Sequence, residues 1–399
     1  MKKIMILGAS ILQLPAIRKA REMGHKVYAV DMDEHAIGFL EADVKLPIST
    51  LDIPKVLEAA TSHKIDGIMT LASDMPMRTV AAVARELGLV GIDEATALKA
   101  TNKACMRQAL QAAGVPIPLF ARVESEEEFY KAVEKMHNLA SQCIVKPADN
   151  SGSRGVTLLK SFDGKLLKDT YAYSRTYSRS GEVIVEEYME GPEVSVETLS
   201  INGVCHVIQI TDKLTTGAPY FVEMGHNQPS LLDRQTQEAI AQVAKAAVCA
   251  IGITDGPAHV EIKVTGDGPK IVEIGARLGG DNITTHLVPL STGVDMVKCC
   301  IQIALGEMPD YCATMGKASA IRYLKSGFGM ITAIGGIEQA RKMPGIQEVS
   351  IVHGVGERAK CIQSSVDRIG FVVAQADTAE EAIYICERAV NCIQISTGT

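Results

Sequence analysis

Within residues 257–282, PAHVEIKVTGDGPKIVEIGARLGGDN, two glutamates and an arginine fall at a spacing that could hold a metal-bound nucleotide. The runs 259–264 and 270–274 alternate and are rich in β-branched residues, and the link Thr265-Gly266-Asp267-Gly268-Pro269 predicts an antiparallel hairpin. With Gly266-Asp267-Gly268 as a three-residue loop, Thr265 faces Pro269 and Glu261 faces Glu273, so two carboxylates stand side by side on one face. Like charges opposed across strands destabilise a hairpin unless one is protonated or a cation lies between them. Mg²⁺ fits that need, because it takes one or two carboxylates together with substrate phosphate oxygens. If the strand continues, its period of two brings Gly275 and Arg277 to the side of Glu273, and a guanidinium then stands ready for a phosphate or carboxylate. A register shifted by one residue would undo the pairing, leaving a hairpin whose glutamates merely face water.

Upstream, the strand-like run 142–146 leads through Pro147 into Asp149-Asn150-Ser151-Gly152-Ser153-Arg154-Gly155-Val156. Small residues with free backbone N–H groups make an anion-binding nest, and Lys146 adds a point charge; a polar hairpin turn fits the same residues. No Gly-x-x-x-x-Gly-Lys-Ser/Thr sequence occurs, so this is not a P-loop. Residues 182–197 read as an apolar strand, an acidic connector and a second alternating strand, a hinge able to offer backbone groups to an adenine edge. Near the start, Gly8 ends a strand and Asp31 follows at a distance suited to a ribose-binding acid, but the intervening loop has one glycine of the three that a nicotinamide dinucleotide requires.

Taken in order, Val145-Lys146-Pro147, the Gly/Ser loop, Val185-Glu186-Glu187-Tyr188-Met189, Gly191-Pro192-Glu193-Val194-Ser195-Val196-Glu197 and the Glu261, Glu273, Arg277 set resemble the ATP-grasp superfamily of carboxylate-amine ligases. Gly275-Ala276-Arg277-Leu278-Gly279-Gly280-Asp281 is similar to its L-amino-acid ligase branch. The resemblance implies that Lys103 and Lys146 contact ATP phosphates and that Ser151, Gly152, Ser153, Gly155 and Val156 close over them. It further implies that Glu186, the connector Glu187-Tyr188-Met189 and Glu193 hold adenine and ribose, and that Glu261 and Glu273 bind Mg²⁺, with Mn²⁺ an alternative. Arg277 would hold the substrate carboxylate or the transferred phosphoryl group, and Lys146 would share the catalytic work. Gly275 departs from many members, which carry Asn there, so coordination of a second Mg²⁺ is in question.

The implied reaction activates a carboxylate as an acyl phosphate, because a carboxylate oxygen is a poor leaving group, and then joins it to an amine with release of ADP and phosphate. Purine-biosynthesis or carbamoyl-phosphate-type enzymes acting on another acid, and a nucleotide-binding module without turnover, are the alternatives. Residues 211–229 read as a polar loop, in which His226 and Glu223 are candidates to orient or receive the amine's proton. Gly280, Asp281 and Asn282, with His286, are candidates for the substrate pocket.

These residues need a frame. A β-α-β opening, a helix at 53–63, a strand at 67–70, a helix at 75–87 and a short strand near Leu89 predict a doubly wound parallel-sheet domain over residues 1–95. A connecting helix (96–120), a mobile lid (121–193) and a central subdomain with the metal site (194–310) make a two-lobed α+β grasp, and 311–399 reads as a small C-terminal α+β subdomain. The expected fold class is therefore α/β and α+β. At 399 residues with 47% hydrophobic and 22% charged, the chain suits a packed protein of several subdomains. A net charge of −7 with dispersed basic residues and no tryptophan argues against a nucleic-acid surface, and no run approaches the roughly 20 apolar residues of a membrane span. The ten scattered cysteines suggest reduced thiols, and charged residues come too soon after the apolar start for a secretory signal, so a cytoplasmic location is expected. Small-molecule acid and amine substrates, and a homodimer, complete the expectations.

Overall fold

The computed structural model describes residues 1–140 and 142–398. The first unit is a parallel sheet of β1 (Lys3–Leu7), β2 (Lys26–Val30), β3 (Val44–Leu46) and β4 (Gly67–Thr70), in the order β3-β2-β1-β4. Alternate residues of β1 enter different cores, Met5 and Leu7 on one face and Ile4 and Ile6 on the other, as a sheet covered on both sides requires. Helices Ile53–His63 and Pro76–Leu87 cover the first face; Leu14–Glu22 and Met296–Ala304 cover the second. The last of these comes from far along the chain, so the unit shares its core with the central part of the molecule. The strand expected near Leu89 does not form: Gly88, at φ 65°, ends the preceding helix and the chain turns towards Asp93.

The single connecting helix expected over 96–120 is two, Glu94–Thr101 and Lys103–Ala112. Asp93 caps the first, accepting from the Thr96 N–H. Asn102 is extended at φ −133°, ψ 114°, and its side chain caps the second through the Cys105 N–H. The break matters for the site, because it places Lys103 at the first position of a helix, where its backbone N–H reaches Ala148 O at 2.7 Å.

A separate four-stranded antiparallel sheet is made of β5 (Phe120–Val123), β6 (Cys143–Pro147), β7 (Thr157–Leu159) and β8 (Val183–Glu187), ordered β5-β8-β6-β7. Helices Glu126–Leu139 and Gly164–Tyr177 bury Phe129, Val133 and Tyr171 against it.

The rest of the chain supplies β9 (Glu193–Ile201), β10 (Val204–Thr215), β11 (Glu223–Gln228), β12 (Gly256–Thr265), β13 (Gly268–Gly275), β14 (Ala318–Leu324), β15 (Gly329–Gly335), β16 (Ile346–Ile351), β17 (Arg358–Ala359), β18 (Gly370–Ala376) and β19 (Gln394–Gly398). Eight of them form one sheet in the order β13-β12-β9-β10-β11-β14-β18-β16. The C-terminal segment is thus not a self-contained sheet: three of its strands extend the central one, while β17-β15-β19 form a small sheet apart. Helix Ala379–Cys392, capped by Thr378, packs on β14 and β18. Residues 211–229, expected as a loop, are the end of β10, a short connection and β11. All ten cysteines are free thiols, and Cys299, Cys300 and Cys386 are core residues. Among the described residues no single helix is long and apolar enough to cross a membrane.

Candidate active site

The β12–β13 hairpin sets Glu261 opposite Glu273, although by a different route from the one the turn suggested. Thr265 pairs with Gly268, so the turn has two residues, Gly266 and Asp267, with Gly268 at φ 107°. The register then shifts between Glu261 and Ile262: Ile262 opposes Ile271, and Val272 is left over as a bulge. Its carbonyl accepts a hydrogen bond from Arg107 Nη2 at 2.8 Å. The carboxylates are brought together by this bulge rather than by the turn.

Each carboxylate leans on a lysine. Lys103 Nζ donates to Glu273 Oε1 at 2.9 Å and to Asn150 O at 2.6 Å. Lys213, on β10 and almost wholly buried, reaches Glu261 at 2.9 Å, Glu193 at 2.8 Å and Glu223 at 3.4 Å. Burial alone would lower the Lys213 pKa, but three surrounding carboxylates hold it well above the ordinary lysine range. Burial likewise works to raise Glu261, and Lys213 keeps it well below the usual carboxylate range. On the opposite wall Glu186 is sealed between Arg107 Nε at 2.6 Å and Lys146 Nζ at 2.9 Å. Burial opposes its ionisation, yet the two cations bring its pKa down to about 2.

Strand β13 ends at Gly275, and Arg277 lies just past it. Arg277 Nε donates to Asp74 Oδ1 at 2.7 Å, from the loop after β4, and Nη1 to Leu278 O at 3.2 Å. A Cβ on Gly275 would stand 2.9 Å from Asp74 Oδ1 and 3.1 Å from Arg277 Cζ, so the ion pair occupies the space that a side chain at this position needs. A second buried pair lies alongside. His259 Nδ1 is 2.5 Å from Glu197 Oε1, and its Nε2 is 3.4 Å from Glu261 Oε1. Burial would lower the imidazole pKa, but Glu197 raises it to about 9, so the ring donates from both nitrogens. Gly279 makes room for this pair: a Cβ there would be 2.6 Å from His259 Nδ1.

A cavity lies between the four-stranded sheet and the central one. Of the residues expected to hold ATP, Lys103, Lys146, Ser151, Gly152, Ser153, Val156, Glu186, Glu187, Tyr188, Met189 and Glu193 line it, with both hairpin glutamates. Gly155 does not; it is buried at φ 77° against Pro147 and Tyr177 and shapes the loop from behind. The N–H groups of Glu187 and Tyr188 are donated to Leu119 O and Gln142 O, so neither is free for a base. An adjoining cavity is lined by Glu223, His259, Glu261, Glu273 and Arg277.

His226 is in neither cavity. It lies on β11 with its side chain 1% exposed, Nε2 3.6 Å from Asp281 Oδ2, and a buried ring in that position does not meet an incoming amine as a loop histidine would. Gly280, Asp281 and Asn282 also lie off the cavity walls, and Asp281 is engaged by Arg368, which donates to both its oxygens at 2.8 Å. His286 instead faces Glu348 at 3.2 Å. Residues that carry the geometry without having been singled out from sequence are Asp74, Arg107, Glu197, Lys213, His259 and Arg368. Each is charged or titratable and belongs to a different segment, so only a paired acid or base elsewhere could have flagged it.

The donor set suits a hard divalent cation. Two carboxylates face the cavity side by side, and among the described residues no group of three or more His, Cys, Asp or Glu forms a fuller cage. The remaining ligands would have to be substrate oxygens and water, as Mg²⁺ prefers.

Residues 139–285 match the family model of the ATP-grasp domain, and residues 322–398 match L-amino acid ligase C-terminal domain 2. An uncharacterized protein of Sinorhizobium fredii is 30% identical over 340 residues, covering 84% of this chain and 69% of its own. The L-arginine-specific L-amino acid ligase of Bacillus subtilis is 30% identical over 297 residues, covering 70% and 67%. The crystal structure of an L-amino acid ligase from Bacillus licheniformis superposes with a TM-score of 0.83 at 23% identity, over 100% of this chain and 99% of that one. The chain belongs to the ATP-grasp superfamily of carboxylate-amine ligases, on its L-amino acid ligase branch, and is an ATP-dependent enzyme that forms a carbon–nitrogen bond.

Proposed function

We infer that this enzyme phosphorylates the carboxylate of an amino acid with ATP and joins the acyl phosphate to an amine, releasing ADP and phosphate. The observation that carries the reading is the Glu261–Glu273 pair on the floor of a cavity whose walls bring in Lys103, Lys146 and Lys213. Lys146, held by Glu186, and Lys103, at a helix start, bind the phosphate chain. Mg²⁺ bound by the two glutamates would screen the phosphoryl oxygens and polarise the transferring group.

A carboxylate oxygen of the acid attacks the γ-phosphorus as the bond to the ADP oxygen breaks. Arg277, fixed by Asp74, is placed to hold the acid or the transferred phosphoryl group on the side of the second cavity. The amine nitrogen then attacks the acyl carbon, loses a proton and expels phosphate. Glu223, which lines both cavities, is the carboxylate placed to take that proton, in place of His226. Water would hydrolyse the intermediate, and the loop 151–156 on the four-stranded sheet is the natural cover. The test is ADP release measured over a panel of amino acids: it should require both an acid and an amine, and ADP release indifferent to both would reject the reading.

A further inference from the structure

Two loops meet above the second cavity. One joins β10 to β11 and carries Tyr220; the other joins β17 to β18 and carries Gln363 and Ser364. Gln363 Nε2 donates to Tyr220 Oη at 3.1 Å, across the gap between them. The C-terminal loop is built in advance of any ligand. Asp367 Oδ2 accepts from the N–H groups of Gln363 and Ser364 at 3.1 and 2.8 Å. Arg368 donates to Glu223 O at 3.2 Å, grips Asp281 with two bonds of 2.8 Å, and lies 3.7 Å from the centre of the Tyr323 ring. A surface loop with no part in nucleotide binding is thereby tied both to the start of β11 and to the segment after Arg277.

On its outer side the same pair of loops borders a second hollow, shared with Ser153 and Arg154 of the glycine-rich loop. Arg154 is the one charged residue among those lining this hollow, whereas Glu223 stands on the inner side. Between the two charges lie the phenol of Tyr220, the carboxamide of Gln363 and the hydroxyl of Ser364, all neutral and able to hydrogen-bond. The nucleotide cavity already takes the opposite approach to the metal glutamates, so an amine nucleophile needs another way in.

Resting on the ligase reading above, we propose that the amine substrate enters through this outer hollow, and that Gln363 and Tyr220 read it while Arg154 holds its far end. The order of charges selects a zwitterion: an ammonium turned to Glu223, a carboxylate turned to Arg154, and a side chain without net charge between them. An amino acid of small or neutral polar side chain has that shape.

The experiment separates this proposal from the reaction on which it rests. Hydroxylamine replaces the amine as a small nucleophile that needs no pocket, and the acyl hydroxamate it forms reports ATP- and acid-dependent activation alone. With Gln363→Ala or Tyr220→Phe, hydroxamate formation and the KM for ATP and acid should hold, while the KM for the amino acid serving as amine rises about tenfold. Arg154→Ala should raise the KM for that amino acid but not for its carboxamide. Amine KM values unchanged in all three variants, or hydroxamate formation falling in step with amide formation in Gln363→Ala and Tyr220→Phe, would overturn the proposal. Failure of the wild-type enzyme to form any hydroxamate would reject the ligase reading instead.

Discussion

The two sheets that enclose the nucleotide cavity hold their acids in opposite ways. On the four-stranded sheet, the Glu186 side chain is 1% exposed and gripped by Arg107 and Lys146 together. On the central sheet Glu261 and Glu273 are 22% and 28% exposed, and Glu273 leans on Lys103 alone. A buried carboxylate between two cations is fixed, because removing it leaves both cations without their counter-charge. A half-open carboxylate with a lysine that can swing away is free to exchange that partner for a metal ion and phosphate oxygens. The acid that anchors and the acids that react are thus told apart by exposure, and Glu273 by partner number as well, not by residue type or by which cavity they face.

That contrast fixes what substitutions should do. Glu273→Ala should lower kcat roughly a thousandfold while leaving the unfolding midpoint nearly unchanged, since it removes a metal ligand from a partly open site. Glu186→Ala should show the reverse signature, a loss of about 3–5 kcal/mol from the four-stranded sheet, seen as faster hydrogen exchange along β8. Equal destabilisation by both variants would erase the distinction. The pH response sharpens it further. A carboxyl whose folded pKa lies below its ordinary value contributes stability that is complete above that value and lost as pH falls through the folded one. For Glu186 the window runs from 4.5 down to about 2, worth about 3 kcal/mol, so acid denaturation should steepen in that range and Glu186→Gln should flatten it.

Much of this frame was legible in the chain. The alternation of residues 259–264 and 270–274 gave the hairpin, because strand periodicity is a local property, while the facing of Glu261 and Glu273 was reached through a three-residue turn that the structure does not have. The route to that register was not, since no residue type marks Val272 as the bulge, and the contact that favours it comes from Arg107, 165 positions away. Lys213 was hidden because the threonines, glycine and proline just after it read as a loop, whereas pairing with β11 extends β10 through Thr215. His226 shows the converse error: a polar neighbourhood suggested exposure, and pairing of β11 with both β10 and β14 buried it. The C-terminal strands read as a separate unit because sequence gives strands but not the sheet they join.

The smallest effect expected tests how finely the open side is arranged. Gly275 is not in the left-handed region, so alanine there carries no backbone strain, and its cost is confined to the methyl group meeting Asp74 Oδ1 and the Arg277 guanidinium. Arg277 can yield only by loosening its 2.7 Å bond to Asp74, the contact that ties the central sheet to the loop after β4. Gly275→Ala should therefore reduce kcat/KM for the acid about tenfold and leave the KM for ATP and the folding stability close to wild type. Because both side chains compete for one space, adding Asp74→Ala should make the alanine at 275 cheaper than it is alone, which a double-mutant cycle on kcat/KM measures as a coupling of the two sites. Strict additivity would mean that Gly275 does not act through the Asp74–Arg277 pair, and that the open carboxylates of the central sheet owe their geometry to the hairpin alone.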